Sequence, residues 1–265
     1  MTKYACMSCG VQYKASNTPP SHCIICQYDD KYSAPETGQA WVKLAQHRNK
    51  YNVTWQELED GLSKISMDTD MGIGQHAHFL QTTNGNYLWD AIPLINDQLI
   101  EDINAKGGLK AIAISHPDFY SNIADWATEF NVPVYIHHND REWFQDDDDN
   151  ILFWHGDTLR LEDDLTLINC GGHFKGSSVM HWQQGAQGKG SVLAGDTIAP
   201  NSNKTAIFRH SYTRDIMLKP DQVKHIGKLM EHYKFDKLYG AFKFNILSNA
   251  HNIVQQSVKQ DLESR

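Results

Sequence analysis

Leu109-Lys110-Ala111-Ile112-Ala113-Ile114-Ser115-His116-Pro117-Asp118-Phe119-Tyr120-Ser121 sets a nearly unbroken apolar run directly against a histidine and an aspartate. Such a run suits a strand buried on both faces, the condition of a parallel strand in an α/β sheet. The end of such a strand holds the next residues at one rim of the sheet, where several strands can aim polar groups at one centre. The arrangement recurs twice. An apolar stretch over 165–170 is followed by Gly171-Gly172-His173-Phe174-Lys175-Gly176-Ser177, and one over 191–194 by Gly195-Asp196-Thr197. His116 and Asp118, two apart, share a face of an extended loop, and Gly171 with Gly172 permits the turn that presents His173. Each group also has a plainer reading. His116 and Asp118 could cap a following helix, and Asp196 could be a turn residue bonding the Thr197 amide.

Working outward, the pattern predicts a hairpin around Asn84-Gly85, with strands over 75–82 and 87–90. Helices are expected over 97–106, stopped by Gly107-Gly108, and over 121–130, with a strand over 132–136 after the second helix. Further strands are expected over 178–182 and 237–239, and a helix opens with Pro220 over 220–233. Residues 41–64 have helix-forming composition, with Thr54 as a start. The polar stretch 27–39, with Pro35 and Gly38, reads as a linker. Asp146 to Asp149 reads as a solvated acidic loop. Hairpins first and then alternating strands and helices point to a layered α/β sandwich.

Four of the five cysteines lie at the start: Cys6 and Cys9, then Cys23 and Cys26. Two C-x₂-C pairs on a short arm have the spacing of a tetrahedral thiolate zinc site, and four thiolates also accept iron. Disulfides and a redox pair are the alternatives, the first disfavoured in a reducing compartment. So short a segment lacks a core of its own, so the metal would supply much of its folding energy. Cys170 stands apart from the pairs and reads as a small buried hydrophobe.

The balance of 24 basic and 32 acidic residues gives a net charge of −8 on 265 residues. That argues against a nucleic-acid binder held by a broad basic surface. A hydrophobic share of 40% suffices for a sizeable core. No apolar stretch approaches the roughly 18 residues that span a membrane, and Met1-Thr2-Lys3-Tyr4-Ala5 is not the apolar run of a secretory signal. The expectation is a cytoplasmic protein.

Together these motifs resemble the metallo-β-lactamase-fold hydrolases. The resemblance runs from Gly74-Gln75 and Asp90 through His155-Gly156-Asp157-Thr158-Leu159 to Gly172-His173 and Gly195-Asp196-Thr197. It implies an αββα sandwich over 71–265, behind a zinc-ribbon or rubredoxin-like knuckle over 1–30 and a linker and helical segment over 31–70. The family signature H-x-H-x-D-H reads here as His116, Asp118, Tyr120 and Ser121, and Tyr239-Gly240-Ala241-Phe242-Lys243-Phe244 lacks the final metal-binding histidine. One metal keeps His116, His173 and Asp118, with Asp196, which bridges in the family; a second keeps only Asp196. The resemblance therefore implies a mononuclear centre holding zinc, manganese or iron.

The function so implied is a metal-dependent hydrolase using metal-bound hydroxide on an ester, thioester, amide or phosphoester, with Asp118 or Asp196 taking the proton. Tyr120 could donate to an oxyanion or simply pack the core. His137 and Asp140 are candidates to orient a ligand imidazole. His76 and His78 share a strand face and could reach the metal edge, or be ordinary strand histidines. His210 and Arg214 could line a small-molecule pocket, Arg214 suiting an anionic group. The alternative is a degenerate member acting as a binding scaffold, with the knuckle docking a protein partner.

Overall fold

The structure, a computed structural model, describes residues 1–28 and 40–265. Most of the expected 27–39 linker lies outside the described residues. The chain divides into two units: Met1–Ile136 with Arg141–Phe153, and His137–Asp140 with Trp154–Arg265.

The first unit opens with β1 (Thr2–Cys6), β2 (Gln12–Ser16), the single turn α1 (Ile24–Gln27) and β3 (Trp41–Lys43). The three strands form a small antiparallel sheet in the order β2-β1-β3. Then come β4 (Val53–Glu59), β5 (Leu62–Met67), β6 (Ala77–Thr82), β7 (Gly85–Trp89), α2 (Asp97–Ala105), β8 (Ala111–Ala113), α3 (Ile123–Phe130), β9 (Val134–His137) and β10 (Ile151–Trp154). They make one seven-stranded sheet in sequential order, antiparallel from β4 to β7 and parallel across β7, β8 and β9. All of β8 is buried, as an apolar strand flanked by two parallel neighbours must be.

The helix expected over 41–64 is not there. This stretch is β3, a short 3₁₀ turn at Leu44–Gln46, and the hairpin of β4 and β5. Gly61, at φ +77°, turns the chain between the two strands. Trp55 pairs with Ile65 across the ladder and meets Phe79 edge-on. Cross-strand packing and the Asp60-Gly61 turn thus override the helix propensity of Gln, Glu, Leu and Lys. The acidic run is a loop with Asp147 and Asp149 exposed, as expected, but Asp146 is drawn inward, held by Lys3 Nζ at 2.9 Å and Gln12 Nε2 at 2.6 Å.

The second unit contains β11 (Thr158–Glu162), β12 (Leu165–Asn169), β13 (Ser178–Trp182), the turn α4 (Gly185–Gly188) and β14 (Ser191–Leu193). The short strands β15 (Ala199–Pro200), β16 (Ala206–Ile207), β17 (Arg209–Ser211) and β18 (Ile216–Met217) form two small hairpins. They precede α5 (Pro220–Met230), β19 (Lys237–Tyr239), β20 (Asn245–Ile246) and α6 (Ala250–Glu263). The main sheet runs β11-β12-β13-β14-β19-β20, with β14 and β19 parallel. Its core joins Ile168, Val179, Val192 and Leu238 of the strands to Val223, Ile226 and Met230 of α5 and Val254 and Val258 of α6. Cys170 lies in that core as expected, its thiol pushed up to about 12 by burial. Among the described residues no helix is long and apolar enough to cross a membrane.

Candidate metal centres

The four amino-terminal cysteines converge. Cys6, Cys9, Cys23 and Cys26 are buried, and each can offer a sulfur to one ion, the four lying within 4.8 Å of one another. The Cys6–Cys26 and Cys9–Cys23 sulfurs are 3.5 and 3.6 Å apart. A tetrahedral zinc–thiolate centre, with bonds of roughly 2.3 Å, spaces its sulfurs by about 3.8 Å. The donor set therefore fits a closed metal site, and at these separations the sulfurs are not bridged as disulfides. Gly10, at φ +82°, lets the chain turn back so that its N–H reaches the Cys6 carbonyl at 2.8 Å.

In the first unit, the end of β8 delivers His116 and Asp118 to buried positions. His116 precedes the 3₁₀ turn Pro117–Phe119 and makes no side-chain capping hydrogen bond to it. Its Nδ1 meets Ser115 Oγ at 2.8 Å, and its Nε2 lies 3.8 Å from Asp118 Oδ2. Ser115 thus orients the ring and turns Nε2 toward the carboxylate. Ser115 is itself fixed, its N–H donating to Asp90 Oδ1 at 2.7 Å. Burial pushes the Asp90 carboxyl up to about 7. Tyr120 is buried and meets Phe144 edge-on, in the manner of a core residue.

In the second unit, Gly171 and Gly172 take φ +63° and +90° and bring His173 into a buried position. His173 Nδ1 lies 2.9 Å from the Arg209 carbonyl. Donation of Nδ1–H to that oxygen leaves Nε2 with the lone pair, the state a metal ligand needs. Asp140 accepts the Gly176 N–H at 2.8 Å and so ties down the turn that carries His173. His137 spends both nitrogens on backbone, with the Gly156 carbonyl at 3.0 Å and the Asn139 N–H at 3.3 Å. Asp196 is buried after β14. The Thr197 amide goes to the Ala194 carbonyl at 3.1 Å, and the Asp196 carbonyl accepts from Tyr212 Oη at 2.9 Å. His210 is half-buried in β17, and Arg214 is exposed in the turn before β18.

His76 lies just before β6 and His78 within it. His76 Nδ1 meets Ser66 Oγ at 3.1 Å. Burial holds His76 down to about 4 and His78 down to about 3, so both are neutral. Sequence reasoning gave no role to Ser115, Arg209 or Gln12. A Ser-His pair at a strand end is a readable signal for Ser115. The Arg209 group is a backbone carbonyl, which leaves no trace in residue types.

No family model matches the chain. The chain is 38% identical over 260 residues to "Uncharacterized protein YmaE" of Bacillus subtilis (strain 168), covering 97% of this chain and 94% of that protein. Among solved structures, TMB-1 superposes with a TM-score of 0.61 at 12% identity, over 79% of this chain and 98% of its own. VMB-1 gives 0.60 at 14%, over 80% and 98%. The metallo-β-lactamase FIM-1 of Pseudomonas aeruginosa, in its mono-zinc form, gives 0.56 at 13%, over 79% and 96%.

Proposed function

Because the chain belongs to the family of YmaE and carries the metallo-β-lactamase fold, we propose that it is a metal-dependent hydrolase with one metal in the large fold and a structural zinc in the knuckle. The observation that carries this reading is shared by two histidines. His116 and His173 each have Nδ1 hydrogen-bonded, to Ser115 Oγ and to the Arg209 carbonyl, the kind of contact that orients a metal-ligating imidazole. His116 and Asp118 of the first unit and His173 of the second are residue types that each offer one donor atom, and the resemblance to the metallo-β-lactamase-fold hydrolases assigns them to one centre. Asp196 is the proposed fourth ligand.

Two imidazoles and carboxylate oxygens suit zinc, manganese or iron. Such a metal would polarise the scissile group of an ester, thioester, amide or phosphoester and lower the pKa of water there. The chain's own residues do the rest. Asp118 or Asp196 takes the proton, because Tyr120 stands in place of the signature aspartate and a phenol is no base near neutrality. Arg214, with His210, meets an anionic part of a small-molecule substrate.

Metal content per chain, by elemental mass spectrometry, tests the reading. Wild type should carry about two metals and His116→Ala/His173→Ala about one, with loss of hydrolysis across an ester and phosphoester panel. Metal content untouched by that double substitution would sink the hydrolase reading and leave a binding scaffold in its place.

A further inference from the structure

We propose that the four-cysteine knuckle is an internal brace for the loop carrying His116 and Asp118, seated on Ser121, where the family signature has its last metal-binding histidine. This rests on the metal-site reading above only for the consequence to metal affinity. The brace itself is a matter of hydrogen bonds within the first unit.

Ser121 is buried and sits at φ +45°, a left-handed conformation that a serine keeps only where its surroundings hold it. Its carbonyl accepts the Gln12 N–H at 2.9 Å. Its Oγ accepts from Gln75 Nε2 at 3.1 Å and donates to the Ala91 carbonyl at 3.3 Å. Both oxygens of this residue are thus served by protein groups, and the foremost bond comes from the knuckle.

Gln12 is placed by the cysteines. It follows Cys9-Gly10-Val11, and the Cys6 N–H closes that loop on the Val11 carbonyl at 2.9 Å. Its side chain then clamps the far side, Nε2 lying 3.1 Å from Asp125 Oδ1 and 2.6 Å from Asp146 Oδ2. Lys14 N–H donates to the Gln145 carbonyl at 2.9 Å, and Gly72 N–H to the Met7 carbonyl at 2.9 Å. The Gly72 bond anchors the knuckle to the segment that leads into Gln75.

From Ser121 the path to the ligands is short and stiff. Tyr120 N–H bonds the Pro117 carbonyl at 3.1 Å and Ile123 N–H the Tyr120 carbonyl at 3.0 Å, so residues 117–123 form a continuous run of turns starting at His116. Cross-linking four cysteines through a metal fixes the Cys6–Val11 loop, hence the Gln12 amide, hence Ser121. Val11 and Gln12 are buried in this contact and so offer no surface to an outside partner.

The test uses the full chain, titrated with Co²⁺ and followed by visible absorption, which separates thiolate-bound cobalt from nitrogen- and oxygen-bound cobalt. Amide hydrogen exchange over 116–126 is read alongside. Cys23→Ser/Cys26→Ser should remove the thiolate bands, raise exchange over 116–126, and weaken the non-thiolate site about tenfold or more. Gln12→Leu keeps all four cysteines and the backbone N–H to Ser121, and removes the side-chain clamp on Asp125 and Asp146 that seats that N–H, so it tests the seating of the brace even if the cysteine variant fails to fold. It should leave the thiolate bands intact, yet raise exchange over 116–126 and weaken the second site. His116→Ala/His173→Ala should leave the thiolate site untouched. Unchanged exchange and cobalt affinity in Gln12→Leu would overturn the brace. A wild type without non-thiolate cobalt, but with exchange still governed by Gln12, would sink the hydrolase reading and leave the brace standing.

Discussion

Asp140 receives the Gly176 N–H at 2.8 Å through a buried carboxylate, three residues beyond His173. The contact is close enough that a Cβ on Gly176 would fall 2.7 Å from Asp140 Cγ. Asp140 therefore holds the turn carrying His173 from behind, while Ser177 Oγ accepts the Phe174 N–H within it at 2.7 Å. Asp140→Ala strands a buried N–H and should cost about 1–3 kcal/mol in urea unfolding. It should also weaken metal uptake about 10–100-fold, as loss of a supporting hydrogen bond does at metal sites. Asp140→Asn keeps an acceptor oxygen and should recover most of both losses. Equal damage from the two variants would mean that the charge, not the acceptor, is what the turn requires.

Lys3 and Lys14 both pair with the acidic run, but in different surroundings. Lys3 bridges Asp125 and Asp146 at 2.9 Å each, and the Asp146 side chain is 2% exposed. Lys14 meets Asp147 with both side chains about two-thirds exposed, at 67% and 65%. Exposed pairs contribute little, whereas a buried carboxylate stripped of a partner is costly. Lys3→Ala should lose about 1–3 kcal/mol in denaturant unfolding, and Lys14→Ala should be indistinguishable from wild type. A matching loss in both would point to overall charge rather than to the burial of Asp146.

The buried strand at 111–113, the His173 turn and the cysteine cluster were legible because each is written in residue type and spacing: an apolar run, paired glycines, two C-x₂-C pairs. The hairpin of β4 and β5 was misread because its residues favour helix in isolation and become strand only by pairing with β6. Helix α6 was missed although Ala250, Val254 and Val258 repeat every fourth residue, since its other positions are polar. The grip of Lys3 and Gln12 on Asp146 spans more than a hundred positions, and nothing local to either end announces it.

Gly188 and Gly190 flank the entry to β14 and separate backbone strain from steric conflict. Gly188 has φ +83° and no heavy atom within 4 Å of the place a Cβ would take, so alanine there meets strain alone. Gly190 has φ +88°, and its Cβ would fall 2.2 Å from the Lys234 carbonyl oxygen, where its own carbonyl also binds the Asp236 N–H at 2.8 Å. Gly188→Ala should cost about 1 kcal/mol. Gly190→Ala should cost about 3 kcal/mol or more, because the backbone itself must move. Thermal unfolding of the two variants measures the difference, and near-equal losses would show that the Lys234 turn can yield.

Asp90 makes a pH prediction whose sign is fixed by its burial. Its carboxyl is fully enclosed, with Ser115 N–H on Oδ1, and burial raises it to about 7. In the unfolded chain it ionises near 3.9. Between about pH 4 and 7 the folded protein holds a proton that the unfolded chain has released, so stability falls as pH rises, by about 1.4 kcal/mol per unit. His78, pushed down to about 3, acts in the opposite sense, losing stability as pH falls below its unfolded value. The two slopes mask each other in wild type. Asp90→Asn retains the oxygen for Ser115, cannot ionise, and tolerates the φ of +61° at this position. Urea unfolding of wild type and Asp90→Asn from pH 4 to 7 therefore isolates the carboxyl. The variant should gain steadily on wild type as pH rises. A constant difference across that range would mean that Asp90 is ionised within the fold, and that a cation near it offsets its burial.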